Sequence, residues 1–192
     1  SSLASSIDKD NTNTEKALKS LKYNPASRKF DMKFPVIEHW YKDSDLQERL
    51  ANTCRQIGDQ QRRETNVKAN MTGWFMHEMD TDFEIVCTEA IELAIENSPS
   101  EVSFMTYDCW GAIYKKNDWT KTHDHWPSPW SFVYYVASDG ETPLSFPDAE
   151  GEHVIPKTGD MVMFPGWIRH SVPKHESDKK RIVVAGNLHI QI

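Results

Sequence analysis

Two histidines, His123 and His125, flank Asp124, and a third, His170, follows 45 residues after His125. Residues i and i+2 of a strand project from the same face. A strand ending in His123-Asp124-His125 therefore offers two imidazoles to one metal ion, with Asp124 turned away or at the bend. A third imidazole from a distant strand completes a facial set with open positions, which suits Fe(II) and oxygen chemistry. Alternation favours His125 as the third ligand. Two alternatives stay open: Asp124 swings round to bind instead, or the ion keeps two protein ligands and a spare site. The plainer reading is an exposed polar turn, since surface histidines are common. His39, His77, His153, His175 and His189 read as ordinary polar residues.

The second chemical group is Arg181, eleven residues after His170. Strand alternation puts Arg181, Val183, Ala185, Asn187 and His189 on one face, and Ile182, Val184, Leu188 and Ile190 on the other. Small side chains after the arginine leave room inside a barrel for a dicarboxylate, and a guanidinium fork matches a carboxylate. Against this, Arg181 follows Lys179 and Lys180, which read as surface residues at the start of the strand. Trp110, Trp119, Trp126 and Trp130 surround the histidine motif and suit either a substrate mouth or packing. Tyr107 and Trp110 fall on the preceding strand, and Asn187 is placed deep in the barrel.

The elements that must position these groups are short strands. Runs broken by Gly, Pro, Asp and Asn predict strands near 102–114, 120–125, 130–137, 142–146, 152–155, 160–165, 168–173 and 181–190. Such spacing without helices implies an antiparallel sandwich or barrel. Ahead of it, Met32 to Tyr41 reads as an edge strand carrying Pro35. Ser44-x-x-Gln47 and Thr81-x-x-Glu84 are capping-box patterns opening helices, the first to about residue 60 and the second ending at Asn97-Ser-Pro99. The expected fold is mainly β, a double-stranded β-helix (jelly roll) with N-terminal helices packed on one sheet. Residues 1–25 read as a flexible lead with one short helix near 15–21, and 26–192 as a single domain with its β-helix core at about 101–190.

Composition sets outer bounds. The 192 residues are 38% hydrophobic and 27% charged, with seven tryptophans, as in an ordinary globular domain. No apolar run approaches the ~20 residues of a membrane span. The net charge of −7 argues against a nucleic-acid partner. Cys54, Cys87 and Cys109 form no CxxC pair, which fits a reducing, cytoplasmic setting.

Five motifs in order carry a resemblance: His123-Asp-His125, Ser131-Phe-Val-Tyr-Tyr-Val136, Leu144-Ser-Phe-Pro-Asp148, Pro156-Lys-Thr-Gly-Asp160 running to Phe164-Pro165, then His170 and Arg181. Over roughly 101–190 the chain resembles the 2-oxoglutarate/Fe(II) dioxygenases, closest to the prolyl-hydroxylase-like branch and its compact microbial and phage relatives. The resemblance implies an enzyme using Fe(II), 2-oxoglutarate and O2, with hydroxylation as the default outcome on a peptidyl (first a prolyl) or small-molecule substrate. It makes His123 and His170 iron ligands. It also makes Arg181, helped by Tyr135, the holder of the cosubstrate's far carboxylate, and Ser131 shares the strand face of Tyr135. His125 stands where the family pattern has an aspartate. A wholly neutral ligand set would leave the iron more cationic and tighten its hold on an anionic cosubstrate. Val183 replaces the Ser or Thr common two residues after the arginine. Two rivals remain: a cupin-type three-histidine metal enzyme without 2-oxoglutarate, and a non-catalytic jelly-roll binding module.

Overall fold

The computed structural model describes residues 27–29, 35–58, 62–64, 66–99, 101–150 and 152–192. The expected lead and the helix near 15–21 lie outside these residues, as does the start of the strand expected over 32–41.

Eight strands build the barrel: β5 (Phe104–Tyr114), β6 (Trp119–His123), β7 (Trp130–Ala137), β8 (Leu144–Phe146), β9 (Glu152–Val154), β10 (Asp160–Phe164), β11 (His170–Val172) and β12 (Arg181–Ile190). They pair antiparallel in two runs, β10-β7-β12-β5 and β6-β11-β8-β9. Successive strands, apart from the β8–β9 hairpin, thus cross between two facing sheets, which is the double-stranded β-helix. β4 (Val67–Met71) joins the runs by pairing with both β5 and β6, and β3 (Arg62–Glu64) pairs with β4. β2 (Ile37–Trp40) extends the first run beside β10, and β1 (Ser27–Lys29) pairs outside it.

The period-2 pattern of β12 divides two cores. Ile182, Val184 and Leu188 face outward with Phe132, Tyr134, Met161 and Met163, where helices α1 (Ser44–Gly58) and α3 (Thr81–Glu96) cover them with Leu46, Leu50, Phe83, Val86 and Leu93. Val183 faces inward with Ala112, Tyr135, Phe146, Val162 and Phe164. Fully burying one such Leu or Phe stabilises by roughly 1.5–3 kcal/mol. The helices therefore clamp the sheet whose inner face carries Arg181. A short helix, α2 (Met76–Met79), precedes α3.

Both expected helix caps shift by one residue. Asp43, not Ser44, caps α1, its Oδ1 accepting the Leu46 N–H at 3.0 Å. Gln47 is thereby free to donate to the Tyr134 hydroxyl at 3.1 Å, tying α1 to β7. Asp80, not Thr81, caps α3, accepting from the N–H groups of Asp82 and Phe83. An aspartate one residue upstream outcompetes the hydroxyl because its charge also meets the positive end of the helix.

Candidate active site

Strand pairing brings two of the three histidines together: His123 ends β6 directly opposite His170, which opens β11. His125 arrives differently. β6 stops at His123, so His125 lies past the strand end and its approach does not come from strand alternation, as the sequence reading supposed. A turn holds it instead. The His125 N–H donates to the Gly166 carbonyl at 2.8 Å, and the Ser128 N–H donates to the His125 carbonyl at 2.9 Å. Gly166 must be glycine there, because a Cβ would sit 2.0 Å from the Ser128 carbonyl oxygen. Asp124 is exposed, and its Oδ1 accepts the Trp126 N–H at 3.0 Å, so its carboxylate closes the turn and is not part of the histidine cluster.

The ligand atoms of His123, His125 and His170 all lie within 4.8 Å of one another. Ring centroids are 4.4 Å apart for His123–His170, 4.9 Å for His123–His125 and 5.0 Å for His125–His170. The His123 Nδ1 faces the Lys121 carbonyl at 2.7 Å, and the His170 Nδ1 faces that of Ile168 at 3.3 Å. A carbonyl accepts only, so each Nδ1 carries a proton and Nε2 is the nitrogen left to meet a metal. Burial, then the neighbouring His123, depresses the His125 imidazole to about 4. Burial, then His123 and His125, takes His170 well below its ordinary value. Three imidazoles gathered at one point, with no carboxylate in the cluster, form a donor set for a borderline divalent ion.

The same cavity is closed at its other end by Arg181, 1% exposed. Its Nη2 donates to the Thr142 carbonyl, to Asp139 Oδ1 at 3.3 Å and to Ser138 Oγ at 3.4 Å. Its Nε and Nη1 are buried and have no partner. An unsatisfied buried donor costs about 1–3 kcal/mol, more when charged. Two on one guanidinium, in the wall of a cavity, mark a place for an anion. The Arg181 guanidinium lies 5.3 Å from the Tyr135 ring centroid. Burial raises the Tyr135 phenol well above its ordinary range, so near neutrality it is a neutral O–H. Tyr114 and Thr120 also line the cavity, their hydroxyls 2.8 Å apart.

Of the other residues expected at the site, Ser131 lines the cavity and donates to Asn187 Oδ1 at 2.7 Å, and Asn187 Nδ2 donates on to Asp108 Oδ1 at 2.8 Å. Trp110 lines the cavity, its ring 6.2 Å from that of His125. Trp130 belongs instead to the outer core, and Trp126 is 72% exposed. Opposite the step from Asn187 to Leu188, β5 passes from Asp108 to Thr106, and the extra residue, Tyr107, stacks on His189 at 4.2 Å. Such a bulge re-aims a side chain. Sequence reasoning missed Asp139 and His175. Asp139 was not singled out and His175 read as an ordinary polar residue, yet both side chains are buried behind Arg181.

Residues 145–187 match the sequence model of a family described as "Putative 2OG-Fe(II) oxygenase", a stretch that holds His170 and Arg181. No curated protein matches the chain by sequence. Among solved structures, a prolyl-4-hydroxylase of Pseudomonas putida superposes with a TM-score of 0.64 at 18% identity, covering 83% of this chain and 95% of that one. The viral collagen prolyl hydroxylase of Paramecium Bursaria Chlorella virus-1, in complex with 2OG, gives 0.58 at 15% identity, covering 82% and 96%. HygX of Streptomyces hygroscopicus, with nickel and 2-oxoglutarate bound, gives 0.62 at 10% identity, covering 81% and 82%. Over β8 to β12 the chain is thus similar in sequence to that family, and its barrel has the fold that these solved enzymes share.

Proposed function

We propose that the chain is a 2-oxoglutarate-dependent Fe(II) oxygenase that hydroxylates a peptidyl or small-molecule substrate. The observation that carries this is one cavity with two complementary ends: three clustered histidines, and a buried arginine with two unsatisfied nitrogens. His123, His125 and His170 would hold the iron, which when bound supplies activation of O2 coupled to decarboxylation of the 2-oxo acid. The protein's own contribution is position and exclusion of water. Arg181 receives the far carboxylate, with the neutral Tyr135 hydroxyl as an added donor. Val183 and Ala185 keep the wall between the two ends smooth and apolar. Trp110 and the rim at Tyr107 and Asp108 would meet the substrate. A peptide is the first choice, since two neighbours of this fold are named prolyl hydroxylases. A three-histidine enzyme without 2-oxoglutarate leaves the buried Arg181 donors unexplained. The test is succinate formation by the purified protein supplied with Fe(II), O2 and 2-oxoglutarate. Succinate that depends on both iron and 2-oxoglutarate is expected, even without the substrate, as slow uncoupled turnover. Its absence from iron-loaded protein would return the chain to a metal-binding jelly roll.

A further inference from the structure

Arg181 does not wait alone for an anion. Asp139 lies beside it, its Oδ1 3.3 Å from Nη2, with a side chain only 1% exposed. The carboxylate is fixed from every side. Its Oδ2 accepts from the Thr142 hydroxyl at 2.7 Å, and its Oδ1 accepts from the N–H groups of Glu141 and Thr142, each at 3.2 Å. The Thr142 hydroxyl also lies 2.9 Å from His175 Nδ1, and His175 Nε2 faces the Lys179 carbonyl at 2.5 Å, so the loop behind Arg181 is one hydrogen-bonded unit. Burial opposes ionisation of Asp139, yet those hydrogen bonds and the Arg181 charge bring its carboxyl down to about 2. Near neutrality Asp139 is thus a permanent anion on the guanidinium that must also accept a second one.

We propose that Asp139 is a built-in counter-anion that positions Arg181 and competes with the cosubstrate for its charge, setting cosubstrate affinity below what Arg181 alone would give. Geometry supports both halves. Asp139, Ser138 and the Thr142 carbonyl all take Nη2, which orients the guanidinium and leaves Nε and Nη1 free. The same carboxylate stands next to the place where another must sit, and like charges in a buried site repel. Arg181 stays neutralised when the cavity is empty, so the folded protein tolerates a buried guanidinium without its ligand. This inference rests on the cosubstrate reading above.

Asp139→Asn separates the two halves, since the amide oxygen still accepts at the Oδ1 position while the charge is gone. Binding of 2-oxoglutarate is measured by calorimetry with Mn(II) replacing iron, so no turnover is needed. The expected result is about five-fold tighter binding, which is about 1 kcal/mol at 1.4 kcal/mol per decade. Asp139→Glu keeps the charge and should not tighten binding. Pyruvate, a 2-oxo acid with no far carboxylate, should bind parent and Asp139→Asn alike. Should Asp139→Asn fail to fold, Asp139→Ser removes the charge, keeps a hydroxyl acceptor for the loop, and carries the same expectation. A parent that binds no 2-oxoglutarate overturns the cosubstrate reading and this inference with it. A parent that binds it, beside a neutral variant that binds it equally or more weakly, overturns this inference alone.

Discussion

The two ends of the barrel cavity are built on opposite plans. At the histidine end three imidazoles gather with no carboxylate in the cluster, two of the three are only partly buried, and they sit at strand ends and on a turn. At the arginine end a full charge is 1% exposed, anchored at the start of the ten-residue strand β12 and matched by a buried aspartate. On the proposed function, the difference follows from what each end would receive. A cation needs lone pairs in a place it can reach, and any fixed positive charge there would repel it. A carboxylate leaving water needs a charge already in place, because in a dry site nothing else compensates it. The cost of each plan also differs. Neutral histidines are inexpensive to bury, whereas a buried arginine requires a counter-ion when the cavity is empty, and Asp139 supplies it.

That contrast is broken most severely at the histidine end. His123→Ala or His170→Ala should abolish Fe(II) binding, followed by metal analysis after desalting, with the fold retained by circular dichroism. His125→Ala should lose iron affinity by a large factor too. Next is Gly166→Ala. Its methyl group would meet the Ser128 carbonyl oxygen at 2.0 Å, so the turn carrying His125 must move. A backbone shift of that kind costs about 1–3 kcal/mol. Thermal melts should show it together with weakened iron binding, while 2-oxoglutarate contacts at Arg181 stay in place. The third effect is on pH. His125 and His170 have depressed imidazoles when folded, His125 at about 4, against ~6.5 when unfolded. Below pH ~6.5 the unfolded chain takes up protons that the folded one refuses. Stability of the metal-free protein should therefore fall as pH drops from ~6.5 to ~4, by up to ~1.4 kcal/mol per pH unit for each histidine. Urea midpoints across that window, in parent and His125→Ala, measure it, and the variant should show the shallower slope. The smallest effect belongs to Asp124→Ala. Its carboxylate only closes the turn at Trp126, so iron affinity should barely change and stability should drop by about 1 kcal/mol. A large loss of iron in Asp124→Ala, with little in His125→Ala, would make the aspartate the ligand.

The strands from β5 to β12 were legible because each is a β-type run set off from the next by Gly, Pro, Asp or Asn. Alternation also gave the two faces of β12 correctly, with Val183 inward and Ile182 and Val184 outward. β3 escaped notice because Arg62–Glu64 holds no apolar residue, whereas β4 does alternate, Val67, Ala69 and Met71 joining the inner core, and was passed over because the run is only five residues long. His125 was found for a reason that does not hold, since the chain leaves the strand at His123 and a glycine contact 41 residues away sets its position. Asp139 was illegible in principle. Its relation to Arg181 spans 42 residues and arises only when the β7–β8 loop folds behind β12. Local sequence shows a turn there and nothing of what lies beneath it.

The central claim is that one cavity joins an iron end to a carboxylate end. Anaerobic titration of Fe(II)-loaded protein with 2-oxoglutarate tests it most directly, reading the weak visible absorption of the iron-bound 2-oxo acid in parent and Arg181→Ala. Truncating one partner of a buried charge pair costs ~2–5 kcal/mol. The parent should saturate, and Arg181→Ala should need roughly 30-fold more cosubstrate or beyond, at ~1.4 kcal/mol per decade. Iron content should stay unchanged, and Arg181→Lys should recover only part of the loss, because a point charge cannot reproduce the planar fork. Equal saturation of parent and Arg181→Ala, or no absorption in the parent, would contradict it.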